Sequence, residues 1–305
     1  MIAAQKKMRR SNYGRGETVA GWLFALPAIL GFVILMLVPM IVSLFLSMTD
    51  YSAFKAEINF IGLDNFRTMF GSTELYIKDS LKATAYYTVL NVPLSLLVAF
   101  LIALALNTNI RGRGIFRSIF YLPSIVPAVA SCVVWLWLLN QQYGLLTTFI
   151  KSLGFGTPGW LWDKNTVIPT IVMTGLWGTG GTMVIFLAGL QGIPQVYYEA
   201  LSVDGGNAWH KLWHITIPML TPTIFFNAIM AVINSLQVFT QGFIMTKGGP
   251  GNASLFYVYY LYKQAFEKAN MGYACALAWF LFVIIMILTA IIMKSQNKWV
   301  YYGGD

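Results

Sequence analysis

From Tyr197 to Pro218 the chain reads YYEALSVDGGNAWHKLWHITIP, a polar stretch that lies between two long apolar segments. A proline three residues upstream can begin a helix, because the first helical position needs no backbone hydrogen-bond donor. Gly205-Gly206 can end that helix, since glycine adopts the left-handed conformation that closes a helix. A second short helix is predicted from about Ala208 until Pro218 breaks it. The stretch therefore predicts a helix–turn–helix exposed to water.

Composition places this stretch in a membrane protein. The chain has 305 residues, of which 57% are hydrophobic and 10% are charged, whereas about a quarter of the residues in soluble domains are charged. Several apolar runs are long enough to cross a bilayer core, which takes roughly 20 residues. The predicted fold class is all-α, a polytopic membrane protein with about six transmembrane helices. The predicted spans cover residues 19–48, 83–106, 118–139, 167–190, 219–245 and 272–293.

The distribution of basic residues predicts the topology. The chain divides into a basic tail (residues 1–18), a membrane domain (19–293) that contains the polar segment here called the elbow (191–218), and a second tail (294–305). Arg111, Arg113 and Arg117 lie in a loop without acids, and basic loops stay cytoplasmic, so both tails and the elbow are predicted to be cytoplasmic in the cell (inner or plasma) membrane. Despite the net charge of +9, nucleic acid is not an expected partner, because the cations lie beside apolar spans.

The sequence contains no pattern typical of an enzyme or a metal site. No glycine-rich loop ends in the Gly-Lys-Ser/Thr that holds nucleotide phosphates. His210 and His214 lie four residues apart, but they lack the further ligands that a metal site needs. Cys132 and Cys275 lie in apolar runs and are expected to be small buried side chains. We therefore expect no catalysis, cofactor or metal in this chain.

Uncharged polar residues are the candidates for a substrate path. The predicted spans contain no Asp, Glu, Lys or Arg, although intramembrane charges usually mark ion pathways. Four amides on the fifth predicted span recur at intervals that place them on one helical face. They can bind the hydroxyls of a neutral sugar or join helices by hydrogen bonds, and two aromatic candidates can stack on sugar rings or simply pack. The candidates are Asn227, Asn234, Gln237, Gln241, Asn91, Trp177 and Phe239.

The elbow resembles a cytoplasmic loop of the permeases of ATP-binding cassette (ABC) importers. That loop has Glu-Ala-Ala, three residues, Gly, nine residues and then Ile-x-Leu-Pro, and Glu199-Ala200, Gly205 and Ile215–Pro218 fall at the same spacing. Leu201 and Ile217 depart from the pattern but remain apolar. Two segments, residues 60–66 and 246–266, also resemble the maltose/oligosaccharide and glycerol-phosphate branch of these permeases.

The resemblance implies a permease subunit of an ATP-driven, binding-protein-dependent importer that translocates a sugar, with an oligosaccharide as first choice. Its implied partners are a second, usually non-identical permease, two ATPase subunits that use ATP and Mg, and an extracellular or periplasmic solute-binding protein. Glu199 can be a solvated helix charge or a carboxylate that faces a cleft of the ATPase. The implied ATPase-docking residues are Glu199, Ala200, Asp204, Gly205, Ile215 and Pro218.

Two other classes of protein remain open at this point. An ion-coupled secondary transporter of a polar solute would take up its substrate on a proton or sodium gradient alone. A membrane scaffold without transport activity would show no uptake even in a well-formed complex. An importer of the ABC type would need both ATP and a binding protein.

Overall fold

The computed structural model describes residues 15–55, 57–71, 75–108 and 111–301. Residues 1–14 of the predicted basic tail and residues 302–305 of the second tail lie outside this described part. Within it the chain forms helices and loops without a β-strand, apart from one bridge between Thr49 and Phe60. The α-helices are α1 (Arg15–Phe32), α2 (Val38–Leu46), α3 (Asp64–Phe70), α4 (Leu75–Leu106), α5 (Arg113–Ile125), α6 (Ala128–Leu138), α7 (Leu145–Ser152), α8 (Val167–Leu176), α9 (Gly180–Gln191), α10 (Gln195–Val203), α11 (Ala208–Lys211), α12 (Ile217–Leu236), α13 (Tyr257–Tyr262) and α14 (Met271–Trp299).

The long helices account for the membrane spans. Four continuous helical runs of the described chain are long and apolar enough to cross a bilayer: Thr18–Leu46, Tyr76–Leu106, Ala208–Leu236 and Met271–Trp299. Two helix pairs, α5 with α6 and α8 with α9, are also apolar enough but are bent by 99° and 51° at short breaks. If each bent pair crosses once, the chain has six spans. The predicted all-α class with about six transmembrane helices is confirmed.

The third and fourth predicted spans, residues 118–139 and 167–190, are broken helices rather than continuous ones. The first break lies at Val126-Pro127, where Val126 is extended, as residues before proline tend to be. The second break separates α8 from α9 and contains Gly178, and glycine is a poor helix former. Local backbone chemistry therefore interrupts both spans near their middle.

The fifth predicted span, residues 219–245, begins earlier than expected. The helix runs without interruption from Ala208, so the expectation that Pro218 breaks a short helix is wrong. A π-helical turn precedes Pro218, and the Thr216 hydroxyl donates to the Lys211 carbonyl at 3.1 Å. Pro218 then falls in the first turn of α12, where its missing N–H disrupts little.

The same span also ends earlier than predicted. α12 stops at Leu236, and the backbone leaves the helix over residues 237–239 before helical residues 240–241 lead into a π-helical turn at Gly242–Thr246. Lys247, in a left-handed conformation with φ of 50°, closes that turn. Two other helices are longer than the predicted spans, because α4 begins at Leu75 and α14 continues into the predicted second tail as far as Trp299.

Two buried clusters hold the helices together, one at the elbow end of the bundle and one at the opposite end. The elbow-end cluster joins Ala99 and Ala103 of α4 to Phe186 of α9 and Leu220 of α12. The larger second cluster contains residues of α4, α8, α13 and α14, and in it the Phe256 ring packs edge-to-face on Tyr87 of α4 with centroids 5.3 Å apart. Lipid tails are as apolar as these side chains, so close packing and small residues provide much of the attraction between helices.

A close contact between helices joins the two broken spans. Gly180, the first residue of α9, lies against the backbone of α5, where a Cβ would meet the carbonyl oxygen of Phe120 and lie 2.8 Å from Cα of Tyr121. The next residue, Gly181, has no atom within 4 Å of the same position. Only Gly180 therefore needs to be glycine for α5 and α9 to touch.

We predict that Gly180→Ala destabilises the protein, because the added methyl group collides with backbone that cannot rotate away. Overpacking of this kind costs about 1–3 kcal/mol, so the melting temperature of the purified protein should fall by several degrees. Gly181→Ala is the matched control and should melt like the native chain. Equal melting temperatures for all three proteins would show that the crossing is not tightly packed.

Candidate functional site

The elbow folds as a capped helix followed by a tight turn. Pro194 precedes α10 in an extended conformation, and the helix ends in paired hydrogen bonds: Gly206 N–H donates to Leu201 O at 2.8 Å and Gly205 N–H to Ser202 O at 3.2 Å. This pair of hydrogen bonds needs a residue in the left-handed backbone conformation, and Gly205 has a φ of 80°. The turn therefore depends on the conformational freedom of Gly205.

A reciprocal cap begins the next helix and assigns a role to one of the histidines. The Asn207 side chain accepts from His210 N–H at 3.0 Å, and His210 Nδ1 accepts from Asn207 N–H at 3.3 Å. His214 Nδ1 lies 3.2 Å from the His210 carbonyl oxygen. Among the described residues, no group of three His, Cys, Asp or Glu side chains could hold a metal ion. The His210 ring acts as a helix cap.

The structure separates the implied docking residues into two groups. Glu199, Ala200, Asp204 and Gly205 are exposed, on α10 and its turn. Ile215 is buried in the elbow-end cluster, and Pro218 is half-buried.

The docking role implied for Ile215 stays a prediction, because burial of this side chain leaves its contact with a partner untested. Ile215 lies on the buried side of the elbow. Next to it the Tyr198 and Thr216 hydroxyl oxygens, 3.0 Å apart, join α10 to the helix that follows. Ile215 and Pro218 support the exposed surface from beneath.

Sequence reasoning missed the apolar side chains on the exposed face of the elbow. Val203, the last residue of α10, is 88% exposed, and Val196 and Tyr197 at the start of the helix are also exposed. Val196 and Val203 lie seven residues apart and therefore share one face of α10. The sequence could have revealed this exposed valine, because Val203 lies one helical turn after Glu199 and therefore on the same face of the helix.

A polar cavity of about 340 Å³ lies between α4, the break before α9 and the end of α12. This volume is at the low end of the range for small-molecule sites, about 300–1,000 Å³. The residues that line it are Tyr87, Asn91, Ser95, Gly178, Thr179, Thr182, Ala231, Asn234, Ser235, Gln237, Val238, Phe239, Thr240 and Gln241. Tyr87 carries the only ionisable side chain in this central cavity, so amides and hydroxyls dominate its chemistry.

A smaller cavity of about 170 Å³ adjoins the central cavity and shares Gly178 and Gln241 with it. It lies beside the Val126-Pro127 break and is also lined by Trp135. The Trp135 indole N–H is buried and has no hydrogen-bond partner among the described residues. A polar donor that faces a cavity without a protein acceptor is available to a ligand or to water.

All three interruptions of the spans meet at these two cavities. Val126 lines the smaller one, Gly178 lines both, and residues 237–241 line the central one. Within a bilayer, backbone that leaves the helix is tolerated only where protein buries it or where it lines a water-filled cavity. The three breaks therefore lie where these two cavities meet them, and the cavities are the candidate substrate path.

The structure brings together five of the seven predicted path residues. Asn91, Asn234, Gln237, Phe239 and Gln241 line the central cavity. Asn91 donates from Nδ2 to Ser235 Oγ at 2.9 Å, whereas the amides of Asn234 and Gln237 make no hydrogen bond within the described part of the chain. Phe239 belongs to an aromatic group, with its ring centroid 5.2 Å from that of Phe243.

Two predicted path residues lie elsewhere. Asn227 is buried and donates to Thr223 O, one turn back on its own helix, at 3.0 Å. The prediction placed four amides on one face of a continuous helix, but α12 ends at Leu236, so Gln237 reaches the cavity from irregular backbone and Gln241 from the helical turn that follows. Trp177 packs edge-to-face on Trp135 instead of lining either cavity, with ring centroids 6.0 Å apart.

A cysteine-accessibility experiment distinguishes the cavity amides from Asn227. In a background with Cys132→Ala and Cys275→Ala, we predict that Asn234→Cys and Gln237→Cys react with a water-soluble, membrane-impermeant methanethiosulfonate reagent. Asn227→Cys should react at least about tenfold more slowly, because a buried thiol is inert. Similar rates at positions 227 and 234 would contradict the placement of the cavity.

The chain is similar to a known family model and to several known proteins. A family model described as binding-protein-dependent transport system inner membrane component matches residues 91–301. The chain is 40% identical, over 97% of its length and 96% of the relative, to the probable ABC transporter permease protein YesP of Bacillus subtilis (strain 168). It is 34% identical to the sn-glycerol-3-phosphate transport system permease protein UgpA of Agrobacterium fabrum, with 92% and 96% of the two chains covered. It is 29% identical to the trehalose/maltose transport system permease protein MalF of Thermococcus litoralis, with 91% and 94% covered.

The same architecture is present in a solved structure. A chain from the crystal structure of a bacterial ABC transporter involved in the import of the acidic polysaccharide alginate superimposes with a TM-score of 0.80. The match covers 93% of this chain and 96% of the other, at 23% sequence identity. At that identity the comparison shows a shared fold.

Proposed function

Since this chain belongs to the family of binding-protein-dependent transport system inner membrane components, we propose that it forms half of the membrane pore of an ATP-driven sugar importer. The observation that carries the proposal is the convergence of three broken helices on a polar, almost uncharged cavity. Amides and hydroxyls both donate and accept hydrogen bonds, as the hydroxyls of a sugar do. The second half of the pore would come from another permease subunit.

A neutral saccharide is the substrate that this cavity fits best, and an oligosaccharide is the form we propose. Asn234 and Gln237 present free amide groups, and Phe239 and Tyr87 add aromatic rings. Rings of this kind bind the apolar faces of sugars, and amides bind their edges. The names of relatives include both trehalose/maltose and sn-glycerol-3-phosphate, and the lack of a Lys or Arg side chain in the cavity favours the uncharged of these two classes.

The exposed face of the elbow is the proposed docking surface for an ATPase subunit. Glu199 and Asp204 offer carboxylates to basic groups of a partner, and Val203 offers an apolar contact that is 88% exposed. ATP and Mg would bind to that partner, and this chain would hold no cofactor. Both tails would then lie on the cytoplasmic side together with the elbow.

A continuous helix provides the mechanical connection between the docking surface and the path. The run Ala208–Leu236 has 29 residues and is therefore roughly 40 Å long. Its first residues, 208–218, belong to the elbow, and Asn234 and Ser235 at its other end line the central cavity. A displacement of the elbow by ATP-driven closure of the partner would move these cavity residues, which is how alternating access could be driven.

Reconstitution tests the proposed activity. We predict that proteoliposomes with this chain, a second permease, ATPase subunits and a solute-binding protein from the neighbouring genes take up sugar only when ATP and the binding protein are both present. A proton or sodium gradient without ATP should drive no uptake. Uptake on an ion gradient alone would support a secondary transporter, and a stable complex without any uptake would support a scaffold.

Two substitutions at Gly205 test, by degree, whether the turn of the elbow couples the ATPase to transport. Gly205→Val should lower binding-protein-stimulated transport, because a β-branched residue resists a φ of 80° at a cost of about 1–2 kcal/mol. Gly205→Asn should retain more transport, since Asn tolerates this conformation. A Cβ at this position meets no atom within 4 Å, so the loss would come from backbone conformation and both variants should still insert in the membrane.

The apolar tip of the elbow gives a second test. Val203→Asp should remove the apolar contact with the ATPase and reduce stimulated ATP hydrolysis by about tenfold or more, as the loss of a central interface contact does. Val203→Ile preserves the contact and is the control. Native hydrolysis and transport in Val203→Asp would show that the ATPase docks elsewhere.

A further inference from the structure

Three arginines at and just before the start of α5 have no acidic partner among the residues that the structure describes. Arg111 is exposed, and Arg113 and Arg117 are half-buried. None of the ion pairs formed within the described part of the chain includes them. The sequence from residue 107 to residue 131 contains no Asp or Glu. This segment therefore presents three uncompensated positive charges.

Arg117 shows most directly that a partner is missing. Its Nε–H is buried and has no acceptor among the described residues. A buried donor without an acceptor is costly, and more so when the group is charged. Arg113 lies one helical turn earlier on the same side of α5, so one anion can accept from both guanidinium groups.

The rest of α5 is suited to contact with hydrocarbon. Ile115, Phe116, Ile119 and Leu122 are 67%, 45%, 56% and 64% exposed. The arginines thus lie at the edge of an apolar helix face. This edge is at the elbow end of the bundle, because α4 ends just before it at Leu106, a member of the elbow-end cluster.

We propose that Arg113 and Arg117, with Arg111 nearby, bind the phosphate group of an anionic phospholipid whose acyl chain lies along the exposed face of α5. Charge complementarity identifies the phosphate, since guanidinium groups bind phosphate through paired hydrogen bonds. The adjacent apolar face identifies a lipid as the source of that phosphate. Basic pockets between transmembrane helices bind anionic headgroups in this way.

The position of this lipid site connects it to the path. α5 crosses α9 at Gly180 and ends at the break beside the smaller cavity. A phospholipid held by Arg113 and Arg117 therefore stabilises the half of the broken span between the headgroup region and the cavity. Anionic lipid should stabilise the protein, whereas a zwitterionic lipid should do so much less.

Lipid retention and thermal unfolding of the full chain provide the test. The protein is extracted from mixed phosphatidylcholine and phosphatidylglycerol vesicles, and native mass spectrometry counts the phosphatidylglycerol that stays bound. Melting temperatures are measured in nanodiscs with and without phosphatidylglycerol. We expect retained phosphatidylglycerol and a higher melting temperature with it, and Arg113→Gln with Arg117→Gln should weaken retention by about fivefold for each arginine removed.

A matched control removes the same charge from another helix at the same end. Lys294 and Lys298 lie near the end of α14, and Lys294→Gln with Lys298→Gln should leave retention and the melting shift unchanged. An equal loss in this control would overturn the proposal in favour of general attraction of anionic lipid. Full retention in the double arginine variant would overturn it as well.

Two further measurements separate the remaining alternatives. Arg117→Lys preserves the charge but has no Nε–H, and it should fold and lose part of the retention even if the double variant does not fold. Native retention by Arg117→Lys would contradict the role of Nε. If inorganic phosphate added to phosphatidylcholine nanodiscs raises the melting temperature as much as phosphatidylglycerol does, the ligand is the free ion and the lipid proposal is wrong.

Discussion

The hydrogen bonds of the backbone are the constraint on which this structure depends. In hydrocarbon each N–H and C=O group must find a partner within the protein, so a transmembrane segment can leave the helical path only where protein or enclosed water covers it. This chain leaves that path at Val126-Pro127, at Gly178 and after Leu236. The three sites are distant in sequence, yet they meet at two adjoining cavities. The irregular backbone and the polar path are therefore one feature.

Close helix packing makes this arrangement possible. Gly180 lets α9 contact the backbone of α5, and Ala99 and Ala103 let α4 approach the elbow-end cluster. Because apolar burial contributes little between helices in lipid, small residues that allow many van der Waals contacts take its place. The same packing leaves the central cavity open, since α4 and α12 meet there through the Asn91–Ser235 hydrogen bond instead of through apolar side chains.

The elbow connects the aqueous surface to the cavity through ordered contacts. Gly205 and the cap formed by Asn207 and His210 define the turn. The Tyr198 and Thr216 hydroxyls hold α10 on the helix that follows, and that helix continues without a break to the cavity. The exposed face of α10 is therefore joined to one end of a continuous helix whose other end lines the central cavity. The lining of the central cavity is uncharged, whereas the exposed face of the elbow carries the carboxylates of Glu199 and Asp204. The two ends of the helix therefore lie in different chemical surroundings.

The sequence by itself determined the all-α membrane class, the approximate number of spans and the left-handed turn at Gly205, because apolar length and glycine stereochemistry act locally. The tertiary structure alone decided where helices break and what each polar side chain contacts. Pro218 lies within a continuous helix because a π-helical turn precedes it and it falls in the first turn of α12, where its missing N–H disrupts little. Asn227 bonds to its own helix while Asn234 and Gln237 face the cavity, since α12 ends at a point that the periodicity of the sequence does not reveal. These outcomes depend on contacts between segments far apart in the chain, which is why spacing along one helix could not predict them.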